Sequence, residues 1–214
     1  MVDVNETENP ESMRKIFKIL VVGEMGTGKT SLLRKYVDGV FSEYYKTTIG
    51  VDFASKDIKW DDKTNVSLQL WDIAGQERFG SMTHVYYQEA VGALLVFDVM
   101  RHQTLELAIQ WKKDIDSKVF TSQDKPIPCL LLGNKIDLAE DGKWGKTEEE
   151  MKAFCDEHGF IGFFETSART GHNLEEAPRA LVKYIIENNI EPFSEGHGVD
   201  LNSSKEKKEG GGCC

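Results

Sequence analysis

A glycine-rich segment near the start of the sequence constrains the fold more than any other feature. Residues 23–30 read GEMGTGKT and follow directly on an apolar, β-branched run at residues 16–22. The run predicts a strand, and the segment after it predicts a tight turn that opens into a helix. Because N–H groups at the start of a helix attract anions, we expect a phosphate to bind at this turn.

Six apolar runs along the chain predict the strands of a sheet. They lie at about residues 16–22, 51–58, 66–71, 91–98, 128–133 and 160–164, and helical patterns separate most of them. A short polar turn joins the second and third runs, which should therefore pair as an antiparallel hairpin. We predict a doubly wound α/β fold with a mostly parallel six-stranded sheet and one antiparallel strand.

Capping signals predict where two helices begin. Thr147 and Glu150 have the spacing of a capping box, and Asn173 with Glu176 offers a similar start for the last helix. Pro178 fits the second start poorly, because a proline inside a helix removes an N–H donor and crowds a carbonyl. A kinked or late-starting helix is expected there.

The chain divides into one domain and two flanking segments. Its 214 residues suffice for one sizeable core, which we place at residues 15–190. Residues 1–14 are acidic and polar, and residues 191–214 are rich in Pro, Gly, Ser and charge. Both flanking segments are therefore predicted to be flexible.

Charge and hydropathy exclude several classes of protein. The formal net charge of −10 argues against a nucleic-acid partner, which would require a basic face. The sequence starts with no signal-peptide pattern and contains no apolar run long enough to span a bilayer, so a cytosolic chain is expected. The spacing of the four cysteines gives no disulfide framework.

The glycine-rich segment has the composition of a phosphate-binding P-loop. Its N–H groups can surround a β-phosphate, while Gly26 and Gly28 let the backbone approach. Lys29 can reach the β- and γ-phosphates, and the Thr30 hydroxyl is placed to ligate Mg²⁺. The predicted phosphate-binding residues are Glu24, Met25, Gly26, Thr27, Gly28, Lys29, Thr30 and Ser31.

A second motif, Asn-Lys-Ile-Asp at residues 134–137, predicts that the nucleotide is a guanine nucleotide. The Asp137 carboxylate can accept hydrogen bonds from N1–H and the exocyclic amine of guanine, whereas adenine would leave it unpaired. Lys135 can lie along the base, and Asn134 can join neighbouring loops.

A third motif, DIAGQE at residues 72–77, completes the phosphate end of the predicted site. Asp72 ends a predicted strand beside the Mg²⁺ position, and Gly75 offers an N–H to the γ-phosphate. Gln76 is the candidate for orienting an attacking water. The expected reaction is slow hydrolysis of GTP to GDP.

These motifs, with Thr-Ser-Ala-Arg at residues 166–169, resemble the Rab family of Ras-like small GTPases over residues 15–190. The resemblance implies that Thr48 senses Mg²⁺ and the γ-phosphate. It also implies that Phe41 lies edge-on to guanine and that Tyr45 covers the phosphates.

The same resemblance assigns the fourth motif to the guanine base. Ser167 and Ala168 would supply backbone N–H groups for the guanine oxygen. Arg169 would stack where most Rab proteins have Lys, with altered geometry.

A surface for partner proteins is also implied by the resemblance. Phe53, Trp71 and Tyr86 match the aromatic triad that Rab proteins present to effectors, although the residues alone also allow an ordinary sheet-face core. Ile73 stands where most Rab proteins have Thr and is expected to change partner choice more than chemistry. With neighbouring segments, it resembles the Rab branch that serves lysosome-related organelles such as melanosomes.

The final residues, Cys213 and Cys214, are expected to carry lipids. Exposed free thiols are the alternative, but the Rab resemblance favours prenylation. The lysines just before them are balanced by glutamates, so two lipid chains would have to hold the protein on a membrane.

The resulting prediction is a GTP-hydrolysing switch in vesicle or organelle traffic. Its implied partners are an exchange factor, an activating protein that supplies an arginine, effectors, and prenylation escort and dissociation inhibitor proteins. It would cycle between cytosol and the cytosolic face of lysosome-related, endosomal or Golgi-derived membranes. The alternatives are a P-loop phosphotransferase or ATPase of metabolism and a scaffold that binds GTP without hydrolysing it.

Overall fold

The computed structural model describes residues 13–44, 46–79, 83–142 and 144–191, and within them six strands form one sheet. The order across the sheet is β2-β3-β1-β4-β5-β6. β2 and β3 are antiparallel, and the other neighbours are parallel, which confirms the predicted fold class. The strands are β1 (Met13–Val22), β2 (Val51–Lys59), β3 (Thr64–Ile73), β4 (Gly92–Asp98), β5 (Cys129–Asn134) and β6 (Phe163–Thr166).

Helices cover both faces of this sheet and bury two apolar clusters. In β1, Phe17 and Ile19 pack on the side of α1 and α5, whereas Leu20 packs on the side of α3. Every residue of β4 and β5 is buried, as expected for parallel strands covered on both faces. The helices are α1 (Lys29–Asp38), α2 (Thr83–Tyr87), α3 (Gln103–Asp116), α4 (Glu148–His158) and α5 (Glu176–Glu187). Among the described residues, no helix is long and apolar enough to cross a bilayer.

The sixth strand begins later than its apolar run predicts. Phe160 is buried, but its N–H donates to the Cys155 carbonyl and so closes the end of α4. The register of β6 with β5 starts where Phe163 lies opposite Leu131, after a first hydrogen bond from the Ile161 N–H to the Cys129 carbonyl. Phe160 therefore serves the helix end, whereas the residues after it already bond to β5.

The structure confirms one of the two predicted helix caps and contradicts the other. The Thr147 hydroxyl accepts from the Glu150 N–H at 3.2 Å, and the Thr147 N–H donates to the Glu150 carboxylate at 2.8 Å, which confirms the capping box. Asn173 is not a cap: it has φ +55°, and its side-chain amide donates to the Glu165 carbonyl at 2.8 Å. Because α5 begins at Glu176, Pro178 lies in the first turn, where its missing N–H breaks no helical bond.

The parallel register brings the motif residues to one edge of the sheet. Val21, at the end of β1, lies opposite Asp72 of β3. Asp98 of β4 lies opposite Asn134 of β5, and Asn134 in turn lies opposite Thr166 of β6. All these strands end at the same edge, where doubly wound sheets bind their ligands.

Candidate nucleotide-binding site

A cavity of about 650 Å³ opens at this edge of the sheet. Its volume falls in the range of small-molecule sites. Fifteen of the predicted nucleotide and catalytic residues line it, and they are Met25, Gly26, Gly28, Lys29, Thr30, Ser31, Phe41, Thr48, Gly75, Gln76, Asn134, Lys135, Asp137, Ala168 and Arg169. The four sequence motifs therefore contribute to a single cavity.

At two glycines, one in the P-loop and one in the third motif, neighbouring atoms leave no room for a side chain. Gly28 has φ +94°, and a Cβ there would lie 2.5 Å from the Asn134 amide nitrogen. A Cβ on Gly75 would lie 2.3 Å from the Met25 backbone nitrogen. The segment that starts at Gly75 is thus packed directly against the P-loop.

Lys29 is buried at the base of the P-loop. Its ammonium donates to the carbonyls of Gly23 at 2.9 Å and Glu24 at 3.2 Å. Burial lowers the pKa of Lys29 to about 8, against the opposing influence of the Asp72 and Glu24 carboxylates. A bound phosphate would stabilise the charged form that burial disfavours.

An oxygen-rich cluster lies next to Lys29. The Thr30 and Thr48 hydroxyl oxygens are 2.7 Å apart, and the Thr30 hydroxyl donates to Asp72 Oδ2. Asp72 Oδ1 is buried and has no hydrogen-bond partner among the described residues, and burial raises the pKa of Asp72. Hydroxyl and carboxylate oxygens with an unused buried oxygen fit a hard cation such as Mg²⁺.

The end of the cavity that contains Asp137 is held together by a buried amide. Asn134 donates from Nδ2 to the Thr27 carbonyl at 2.8 Å and accepts at Oδ1 from the Ala168 N–H at 3.2 Å. Lys135 donates to the Gly26 carbonyl at 2.8 Å. These hydrogen bonds therefore join the second motif, the P-loop and the loop after β6.

Ser167 occupies a different role from the one expected. Its N–H donates to the His172 carbonyl, and the Ala168 N–H donates to Asn134, so neither N–H is free for a guanine oxygen in this structure. Instead, the buried Ser167 hydroxyl donates to Asp137 Oδ1 at 2.5 Å. Ser167 therefore lies beside Asp137 as expected, but it contacts that carboxylate through its side-chain hydroxyl rather than offering a backbone N–H to guanine.

Asp98 lies outside the four motifs but contacts Lys135, which lines the cavity. It ends β4, is only 2% exposed, and accepts from Lys135 Nζ at 2.7 Å. The sequence signal was available, because a carboxylate closes the fourth apolar run at the edge where the other motifs end.

Comparison with known proteins identifies the family that shares this arrangement. The Ras family profile matches residues 18–187, well over half of the chain. Ras-related protein Rab-32A of Dictyostelium discoideum is 52% identical, with 93% of both chains covered. The chain is a Rab GTPase of the Ras family.

Two human proteins are also similar to this Rab GTPase. Human Ras-related protein Rab-32 is 52% identical over 89% of this chain and 84% of its own length. Human Ras-related protein Rab-7L1 is 42% identical over 93% of this chain and 97% of its own. The resemblance predicted from the motifs is confirmed over most of the chain.

Membership in the Rab family settles the class of activity. The protein binds GTP and GDP, hydrolyses GTP and acts with regulatory proteins as a switch in membrane traffic on intracellular membranes. This outcome decides against a metabolic phosphotransferase and gives no support to a non-hydrolysing scaffold.

The aromatic residues predicted to face effectors lie partly on the surface of this Rab. Phe53 is 55% exposed and meets Trp71 edge-on, with ring centroids 6.1 Å apart. Lys18 places its ammonium 3.6 Å from the Trp71 ring centroid, while Trp71 and Tyr86 pack partly against the core. The exposed Phe53 fits a surface for partner proteins, whereas Trp71 and Tyr86 are also part of the packing on the sheet face.

Ile73 does not belong to that surface. It is 0% exposed and packs in the core cluster that contains Leu20 and Tyr87. The prediction that Ile73 is part of the effector surface is therefore wrong, because its side chain packs inside this core cluster.

Several predicted residues lie outside the described part of the chain. They are Tyr45, Cys213 and Cys214, together with most of the predicted N-terminal extension and C-terminal tail. Their roles stay predictions.

Proposed function

We propose that this Rab switches between its GDP and GTP forms by binding the nucleotide in the cavity at the carboxyl edge of the sheet. The observation that supports this most is that one cavity joins the P-loop, the threonine hydroxyls and Asp137. A nucleotide lying along it would have its phosphates beside Lys29 and its base beside Asp137.

The phosphate end of the proposed site combines backbone donors with one buried cation. N–H groups of residues 24–29 and the start of α1, including Ser31, would surround the phosphates. The negative phosphates would raise the pKa of Lys29, which burial lowers, and so keep its ammonium group charged.

Thr30, Thr48 and Asp72 are the residues that would hold Mg²⁺. The donor set is all oxygen, and Asp72 Oδ1 is buried without a partner among the described residues. When bound, Mg²⁺ neutralises charge on the phosphate oxygens. Thr48 lies in the loop before β2. Binding of its hydroxyl to Mg²⁺ would therefore make the conformation of that loop depend on the bound nucleotide.

Gln76 is the proposed catalytic residue. It lines the cavity one position after Gly75, which is packed against the P-loop, so its side chain is carried close to the phosphate end. There it would orient the attacking water, and an activating protein would supply the missing positive charge in trans.

Guanine would be recognised by Asp137 with Phe41 and Arg169 along the sides of the base. Phe41 and Arg169 both line the cavity, and the Arg169 guanidinium lies 3.3 Å from the Glu43 carboxylate. This exposed ion pair bridges the loop after β6 and the loop after α1. We propose that it partly covers the base without fixing it strongly.

A lipid anchor on Cys213 and Cys214 would hold the protein on the cytosolic face of its membrane. The proposal rests on the Rab assignment and on two cysteines at the end of a polar, glycine-rich segment. Escort and dissociation inhibitor proteins would handle the lipidated tail, and lysosome-related, endosomal or Golgi-derived membranes are the proposed sites of action.

Competition binding tests the proposed cavity. Displacement of a fluorescent GDP analogue from the wild-type protein by unlabelled GDP and by ADP should show a preference for GDP of at least about 100-fold. Equal displacement by the two nucleotides would contradict the guanine assignment of Asp137.

A further inference from the structure

Arg101 contacts the outer side of the P-loop from the loop between β4 and α3. Its Nη2 donates to the Met25 carbonyl at 3.0 Å, and its Nε donates to Asp98 Oδ2 at 3.0 Å. Its backbone is fixed as well, because the Thr104 hydroxyl donates to the Arg101 carbonyl at 2.7 Å. The two side-chain contacts use the fork of one guanidinium, which lysine cannot reproduce.

Arg101 completes a series of contacts to three successive carbonyls. The Met25 carbonyl accepts from Arg101, and the two carbonyls that follow, those of Gly26 and Thr27, accept from Lys135 and Asn134 at 2.8 Å each. Each donor comes from outside the P-loop. The outer side of the loop is therefore held at every one of these three peptides.

Fixing these carbonyls also fixes the N–H groups on the same peptides. A peptide unit is planar and trans, so its C=O and N–H bonds point in opposite directions. The carbonyl of Met25 shares its peptide with the N–H of Gly26. When Arg101 holds that carbonyl outward, the Gly26 N–H is directed away from Arg101, toward the side of the loop that can face a phosphate.

We propose that Arg101 is a positioning residue for the P-loop, which holds the Met25 carbonyl so that the Gly26 N–H stays directed at the bound phosphates and nucleotide release is slowed. This inference rests on the proposed assignment of residues 23–30 to the phosphates. It adds a residue from outside the four motifs to the machinery that retains the nucleotide.

The charges around Asp98 support the same role. Asp98 is 2% exposed and pairs with both Arg101 and Lys135, so one buried carboxylate links two of the cations that hold P-loop carbonyls.

Substitution of Arg101 with two readouts tests the proposal. In Arg101→Ala with GDP and Mg²⁺ bound, we expect dissociation of a fluorescent GDP analogue to be roughly 3- to 10-fold faster than in the wild type. The ³¹P resonance of the β-phosphate of bound GDP should shift, because the Gly26 N–H would no longer be held toward the phosphates. Arg101→Lys should give an intermediate dissociation rate, since it keeps the charge but loses the fork.

A matched control variant and a second substitution of Arg101 complete the test. Lys183→Ala removes another exposed cation, one paired with Glu187 on α5, and should change neither readout. If Arg101→Ala dissociated GDP within twofold of the wild-type rate, or left the β-phosphate resonance unchanged, the positioning role would be overturned. If Arg101→Ala failed to fold, Arg101→Gln would be measured under the same criteria.

Lys29→Ala separates this inference from the proposed function beneath it. If Lys29→Ala abolishes GDP binding while Arg101→Ala has no effect, only the role of Arg101 fails. If Lys29→Ala itself binds GDP like the wild type, the phosphate assignment of the P-loop fails.

Discussion

The Ser167 hydroxyl donates a hydrogen bond to Asp137 Oδ1 at 2.5 Å and so joins the loop after β6 to the guanine motif after β5. Ser167 is fully buried, and its oxygen also accepts from the Thr170 N–H at 3.0 Å. The carboxylate proposed to read guanine is therefore oriented by a side chain from a different motif.

Removing this hydroxyl should weaken guanine binding. A hydrogen bond to a charged acceptor contributes more than one between neutral groups, so Ser167→Ala is expected to lower GDP affinity by about tenfold. Competition against a fluorescent GDP analogue measures it. Ser117→Ala, which removes an exposed hydroxyl at the end of α3, is the matched control and should bind GDP normally. Unchanged affinity in Ser167→Ala would show that Asp137 is oriented without this contact.

Lys29 makes nucleotide binding depend on pH. Its pKa is about 8 without ligand and should rise when phosphates neutralise it, so the bound state holds more protons above pH 8 and affinity falls as pH rises. At pH 8.5, GDP binding should take up roughly 0.7 proton, against little at pH 7. Calorimetry in two buffers of different ionisation enthalpy measures this uptake. Equal enthalpies in both buffers at pH 8.5 would contradict the lowered pKa.

Gln76 should be needed for hydrolysis but not for binding. Gln76→Leu is expected to slow single-turnover GTP hydrolysis by roughly tenfold or more, because the attacking water loses its orienting group. GDP affinity should stay within about twofold of the wild-type value. Gln110→Leu, at an exposed position of α3, serves as the control. Wild-type hydrolysis in Gln76→Leu, both alone and with an activating protein, would remove Gln76 from the mechanism.

The last two cysteines should determine membrane attachment. The Cys213→Ser and Cys214→Ser double variant is expected to move from membranes to cytosol in cell fractionation, while its nucleotide binding stays intact. Each single variant should be extracted more easily than the wild type, because one lipid chain gives only marginal attachment. Ser203→Ala with Ser204→Ala changes the same tail and should leave fractionation unchanged. Firm membrane attachment of the double Cys variant would contradict the lipid anchor.

Much of the site could be predicted because each motif follows a strand. Parallel strands end at one edge of a sheet, so motifs at the ends of β1, β3, β5 and β6 had to meet there. Local chemistry also predicted the capping box of Thr147 and Glu150, which depends only on neighbouring residues. These features need no knowledge of long-range contacts.

What the sequence did not predict depends on contacts between distant residues. Arg101 meets the Met25 carbonyl across 76 positions, and no local pattern marks that pairing. Ile73 looked like a surface residue of a loop, but it is the last residue of β3 and its side chain packs in the core. Asn173 matched a cap by spacing, yet its side chain bonds to the Glu165 carbonyl, and the helix starts three residues later.

The central claim, that Asp137 selects guanine nucleotides, is tested most directly by the base preference of Asp137→Asn. The exchange replaces a carboxylate that accepts from guanine with an amide that can donate to the oxygen of xanthine. Competition with GDP and xanthosine diphosphate should show a loss of GDP affinity on the order of 100-fold and a gain in affinity for xanthosine diphosphate. Asp141→Asn, at an exposed position nearby, should keep the wild-type preference. If Asp137→Asn still preferred GDP as strongly as the wild type, the account of this cavity as a guanine site read by Asp137 would be contradicted.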